Sequence, residues 1–122
     1  MKIQINHNVP VPSMAIIGCA KSFGIEKIEI IFGEEWNKLK KHINFYLSDD
    51  NSEFVTVKYK KSPVKLPDEL YEKPGVYKYV IVGEGAGKKI VSQTGYLTVK
   101  KSPEDYIKRA FPASSKKRGD TQ

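Results

Sequence analysis

At 122 residues the chain has the length of one domain with one core, and its 39% hydrophobic and 11% aromatic shares suit a folded, strand-rich protein. Its single cysteine, Cys19, excludes an internal disulfide and fits assembly in a reducing cytosol, and no apolar run approaches the roughly 18 residues of a membrane span. The net charge of +7 is weighted toward the end, where residues 100–122 hold 7 of the 21 Lys and Arg but 3 of the 14 Asp and Glu.

The stretch Lys2 to Asn6 alternates Ile3 and Ile5 with polar neighbours and predicts a short strand. Pro10 and Pro12 then predict an extended edge or crossing segment, and residues 14–19 a second short strand or a loop against the core. The start of the chain is polar and Pro-bearing, without a signal-peptide apolar region. Ile16-Ile17-Gly18-Cys19 resembles a lipoprotein box, but too few apolar residues precede it, and Cys19 reads as a buried turn residue.

A strand follows at about 26–32, where Ile28, Ile30 and Phe32 alternate with Glu29 and Ile31. The run Phe32-Gly33-Glu34-Glu35-Trp36-Asn37-Lys38-Leu39 holds the only Trp and predicts a short helical connector that folds Trp36 and Leu39 over the open end of a β core. Ile43, Phe45 and Leu47 mark the next strand, and Ser48-Asp49-Asp50-Asn51-Ser52 a hairpin turn. From Glu53 to Lys60, Val55, Val57 and Tyr59 share one face and Thr56, Lys58 and Lys60 the other.

Pro67-Asp68-Glu69-Leu70-Tyr71 predicts one or two helical turns, with Pro at the start and acids in the first turn. Val76 to Val82, nearly continuous in apolar residues, is the expected central strand. Gly83 to Gly87 reads as a mobile hairpin loop into residues 88–93, and Tyr96 to Lys100 as the last strand. Ser102-Pro103-Glu104 opens a short amphipathic helix to about Arg109, and residues 113–122 read as a flexible basic tail. Residues 1–20 are thus an N-terminal arm with the first strand, 21–101 a β core, and 102–122 a helix with a tail. About seven short strands with helical connectors predict a mainly β, immunoglobulin-like antiparallel sandwich, a small barrel being the alternative.

The residues predict no enzyme, metal site or cofactor site. His7, His42 and Cys19 lack the close spacing of metal ligands, and the pairs Glu34-Glu35 and Asp49-Asp50 show no cause for splitting their acidities. The segment around Gly87-Lys88 fails as a phosphate loop, with Val82 where a glycine and Lys89 where Ser or Thr is needed. Arg118-Gly119-Asp120 spells an integrin-type tripeptide of a kind that recurs by chance. Lys38, Lys40, Lys41, Lys58, Lys60, Lys61 and Lys65 are interleaved with Tyr46, Phe54 and Tyr59. Such a surface binds single-stranded nucleic acid only if its rings face outward, and Tyr59 shares the inward parity of Val55 and Val57. The tail residues Lys116, Lys117 and Arg118 are the better candidates for a nucleic acid or an acidic protein.

Five stretches, set in order over residues 31–100, carry a resemblance. They are the Trp36 run, then Phe45, then Leu66-Pro67-Asp68-Glu69-Leu70, then Pro74-Gly75-Val76-Tyr77 with Gly83, and finally Val91 to Thr94 leading into Leu97-Thr98-Val99. Together they resemble a small immunoglobulin-like domain of tail, baseplate, fibre and capsid-associated structural proteins of phages from Gram-positive hosts. The resemblance implies a non-enzymatic virion protein, assembled in the bacterial host cytoplasm and present in multiple copies. Its partners would be other capsid or tail proteins, with no membrane and no cofactor. Trp36, Leu39, Phe45, Pro67, Leu70 and Gly75 would be structural motif residues. Contacts would come from Val9, Val11 and Met14 in the N-terminal arm and from Tyr106, Ile107 and Phe111, beside the basic tail residues. A chain without a stalk favours capsid decoration over a tail or baseplate accessory. The alternative from another class is a basic nucleic-acid-binding domain.

Overall fold

The alternating segments form strands with one face turned inward, and the chain is mainly β in two sheets. The computed structural model describes residues 1–22 and 26–102. Ten strands run in chain order: β1 Lys2–Asn6, β2 Val9–Val11, β3 Met14–Cys19, β4 Lys27–Phe32, β5 Lys40–Tyr46, β6 Phe54–Tyr59, β7 Val64–Lys65, β8 Gly75–Gly85, β9 Lys88–Val91 and β10 Gly95–Lys100. Single 3₁₀ turns at Glu34–Trp36 and Asp68–Tyr71 are the helical connectors. The first sheet has the order β2-β1-β4-β7 and the second β3-β10-β8-β5-β6, with β9 beside β8.

The inward side chains of both sheets make one core in a sandwich-like arrangement. Ile3 and Ile5 of β1 and Ile28 and Ile30 of β4 meet Ile43 and Phe45 of β5, Tyr79 and Ile81 of β8, and Leu97 and Val99 of β10. Each such side chain removed from water contributes about 1.5–3 kcal/mol, so the alternation decides which face of each strand turns in. Strand β8 is central, paired with β5 along one side and with β10 and β9 along the other. Where β9 gives way to β10, the buried Ser92 replaces the missing ladder. Its Oγ accepts from the Ile81 N–H at 2.8 Å and donates to the Gln93 carbonyl, while its own N–H donates to the Ile81 carbonyl.

The structure differs from the expectation of about seven strands, all antiparallel. There are ten among the described residues, and β1 with β4 and β3 with β10 are parallel pairs. Alternation reports which face is buried and not the direction of the neighbour, so parallel pairing left no trace in the pattern. The extra strands are short. In β2, Pro10 packs inward opposite Ile5 on the outermost strand of its sheet, where a missing N–H costs no ladder bond. Strand β7, two residues long, follows Pro63 and carries no readable alternation.

The glycine segment is also more ordered than expected. Gly83 and Gly85 belong to β8, and the connection to β9 is the two-residue turn Ala86-Gly87, both with positive φ, as tight hairpins require. Cys19 ends β3 half-buried instead of sitting in a buried turn. The predicted helix beyond Ser102 and the tail lie outside the described residues.

Candidate binding face

Each strand of the second sheet turns every other residue away from the core, and the ladder register aligns these residues into rows. Tyr96 of β10 lies opposite both Met14 of β3 and Lys78 of β8, and Tyr46 of β5 lies opposite both Lys78 and Phe54 of β6. One row therefore crosses five strands as Met14, Tyr96, Lys78, Tyr46 and Phe54. Thr98 stands beside it, flanked by Ile16 and Val76. Met14 and Ile16 are 60% and 61% exposed, and Val76, Phe54 and Tyr96 are exposed as well. The Tyr46 and Phe54 rings meet with centroids 5.7 Å apart. Lys78 leaves the row by donating from Nζ to the Asp49 carbonyl at 3.3 Å.

The middle of the face is polar, with Thr56 Oγ1 donating to Asn44 Oδ1 across β5 and β6 at 2.7 Å. At the far end of the same two strands lies a groove of about 1070 Å³, lined by Lys38, Lys40, Lys41, Lys58 and Lys60 with His42, Thr56 and Tyr59, and with Glu84 as its one carboxylate. Among the described residues the ion pair of Met1 with Glu26 lies elsewhere, as does the 2.7 Å contact of His7 Nδ1 with Glu35 Oε2. The groove thus concentrates positive charge that no carboxylate among the described residues neutralises at ion-pair distance. Lys41 is the inward-turned member. Its Nζ donates to the Leu39 carbonyl and stands 5.0 Å from the Phe32 ring centroid, and burial lowers its pKa. The other four lysines are exposed.

Of the lysines read together in the sequence, the groove gathers five. Lys65 pairs with Lys27 in the first sheet, and Lys61 is exposed outside the groove lining. Of the three rings, Tyr59 does turn inward, edge-on to Phe32 at 5.1 Å, while Tyr46 and Phe54 turn out. The N-terminal arm is divided between the sheets. Met14 stands on the outer face of the second, whereas Val9 and Val11 flank Gln4 and Asn6 on the outer face of the first. Tyr106, Ile107, Phe111, Lys116, Lys117 and Arg118 lie outside the described residues.

Four of the six motif residues sit inside. Trp36 is fully buried, with its indole N–H donating to the His7 carbonyl at 2.6 Å and its ring against Gly83, where an added Cβ would stand 2.9 Å from Cε3. It thereby ties the β1–β2 turn of one sheet to β8 of the other. Leu39, Phe45 and Leu70 are buried, Pro67 precedes the second 3₁₀ turn with φ at −61°, and Gly75 begins β8 in an exposed position.

Two buried tyrosines escape sequence reasoning. Tyr71, next to Leu70, donates from its hydroxyl to the Ile17 carbonyl at 2.9 Å and joins the second 3₁₀ turn to β3. Burial pushes its pKa up, with Glu26 adding to the rise. Tyr79 fills the space above Gly95, and burial pushes its pKa up to about 12. Cys19, His7 and His42 fall on three different elements, and among the described residues no three His, Cys, Asp or Glu are grouped to hold a metal. No helix among those residues is long and apolar enough to cross a membrane.

Comparison with known proteins finds no matching family model and no matching curated protein.

Proposed function

We propose that the protein is a non-enzymatic virion component of a phage, a capsid-decoration or tail and baseplate accessory protein that docks on other virion proteins in multiple copies. The observation that carries the docking reading is the exposed apolar cluster of Met14, Ile16, Val76 and Tyr96 on three neighbouring strands. Apolar side chains gathered on one face mark an interaction surface, because each loses favourable burial for as long as it stays in water. The phage assignment itself rests on the resemblance carried by the Trp36 and Pro67 stretches.

An immunoglobulin-like topology is part of this reading. Its support is the order β10-β8-β5-β6 in one sheet with β4 and β7 paired in the other, and β3 running parallel beside the last strand. The parallel pairing of β1 with β4 is the departure.

Mass spectrometry of purified particles from the host culture, with copy counting, tests the assignment. Hundreds of copies are the result expected of capsid decoration, and six or twelve place the protein in the tail. Absence from every particle overturns the virion reading. Met14→Glu with Ile16→Glu is expected to abolish incorporation while the isolated chain stays folded.

A further inference from the structure

We propose that the outer face of β5 and β6 is a binding track for single-stranded nucleic acid, with phosphates held in the lysine groove and bases stacked on Tyr46 and Phe54. The track goes beyond the docking reading and uses different strands, since the apolar cluster lies on β3, β10 and the start of β8.

Three observations converge on it. The first is charge: Lys38, Lys40, Lys58 and Lys60 stand exposed around one groove whose lining, among the described residues, holds Glu84 as its one carboxylate. Lysine ammonium groups placed along a groove suit a chain of phosphates, because each contact releases a condensed counterion and needs no fixed geometry. The second is the platform: Tyr46 and Phe54 are cross-strand partners whose rings meet on the same outer face as Lys40, Lys58 and Lys60. Bases stack on such rings whatever their identity, which gives affinity without sequence preference.

The third is length. Lys40 and Tyr46 bound one strand, six residues apart, or about 20 Å at the rise of an extended chain. The span suits a site of about four nucleotides, the small end of the range for sheet platforms. Between the two ends, Asn44 and Thr56 supply a polar floor and His42 a further ring beside the lysines. A duplex keeps its bases paired and stacked inside, so Tyr46 and Phe54 add nothing to its binding. A single strand gains from both ends of the track.

The test is fluorescence anisotropy of the full chain with a labelled 12-nucleotide oligo(dT), against the matching duplex and against labelled heparin, a polyanion without bases. The expected result is preference for the single strand, with the logarithm of affinity falling with the logarithm of salt at a slope of roughly −2 to −3 for three or four phosphate contacts. Phe54→Ala weakens oligo(dT) binding about tenfold and leaves heparin unchanged, while Phe54→Tyr retains binding. Lys40→Ala, Lys58→Ala and Lys60→Ala together flatten the salt slope for both ligands.

Equal affinity for heparin, duplex and oligo(dT), indifferent to Phe54, overturns the proposal in favour of a plain polyanion surface. Binding lost only on neutralising Lys116, Lys117 and Arg118 overturns it in favour of the tail. No binding to any of the three, with salt-sensitive self-association by ultracentrifugation, assigns the groove to an acidic protein surface instead. None of these outcomes bears on the copy count in particles, so failure here and failure of the virion reading are separable.

Discussion

The two sheets share a core but present different outer faces. On β1 and β4 of the first sheet, the outward residues are Lys2, Gln4, Asn6, Lys27 and Glu29, interrupted by Ile31, with Val9 and Val11 at the edge. The second sheet turns out Met14, Ile16, Phe54, Val76, Val91 and Tyr96, together with the lysines of the groove. Inner faces of both are apolar apart from Lys41 at the rim of β5, because neither sheet folds without burying one side. An outer face is under no such demand. Where it nevertheless carries exposed apolar and aromatic side chains beside concentrated charge, folding does not account for the choice, and binding is the role we propose for it.

The comparison breaks first if the inner contacts between the sheets prove dispensable. Trp36 is the sharpest case, since it touches Phe32, Gly83 and the His7 carbonyl at once. Trp36→Ala is expected to cost about 3–5 kcal/mol, read as a shift in the urea midpoint at constant slope. Gly83→Ala forces a Cβ against the same ring and is expected to act in the same direction, since the packed Trp36 indole and the Leu39 side chain leave little room to give.

Alkaline titration gives the next largest effect, and Tyr79 reports the interior of the second sheet. The Tyr79 phenol is pushed up to about 12 by burial, from 10.0. The folded state therefore holds its proton more tightly than the unfolded chain. Stability from this group is fully present below pH 10 and is lost as pH rises from 10 to 12, by a few kcal/mol. Ultraviolet absorbance at 295 nm is expected to show Tyr79 ionising only with unfolding. Tyr79→Phe is expected to remove that step.

Ser92→Ala is expected to cost about 2 kcal/mol by hydrogen–deuterium exchange or denaturant melts, because the buried Ile81 N–H loses its acceptor. That serine illustrates what the sequence conceals. Alternation in Ile3–Ile5, Ile28–Ile30, Ile43–Phe45 and Leu97–Val99 exposes the inner faces directly, since period two follows from strand geometry alone. The Trp36 connector was legible as well, through a large ring and Leu39 close behind it. Ser92 offers nothing to read: its role arises where two strands share one side of β8. The parallel pairs, the short β2 and β7, and the place of Gly83 under Trp36 were hidden likewise. The row from Met14 to Phe54 is assembled from five separate stretches by long-range register. A single segment shows only that one ring or one lysine points outward; the platform and the groove exist once β5 has chosen β6 and β8 as neighbours.

The smallest expected effect is the most discriminating. If the outer face of the second sheet serves binding and not folding, polar substitutions there leave stability nearly untouched. Ile16→Glu is expected to change it by about 0.5 kcal/mol and Phe54→Ala, which gives up its ring contact with Tyr46, by about 1 kcal/mol, against several for Trp36→Ala, in the same denaturant assay. Both side chains are more than half exposed, so little apolar area returns to water when they are altered. Ile16→Glu has one compensating risk, since a carboxylate on the outermost strand β3 stands beside Thr98 of β10. Thr98 carries no charge, so no like-charge repulsion arises across that pair. A loss of 2 kcal/mol or more at either position would mean that the outer face is packed against something within the fold, and the contrast between the two sheets would fail. Unchanged stability with lost docking at Ile16, or lost oligonucleotide binding at Phe54, would instead place each function on its own half of one face.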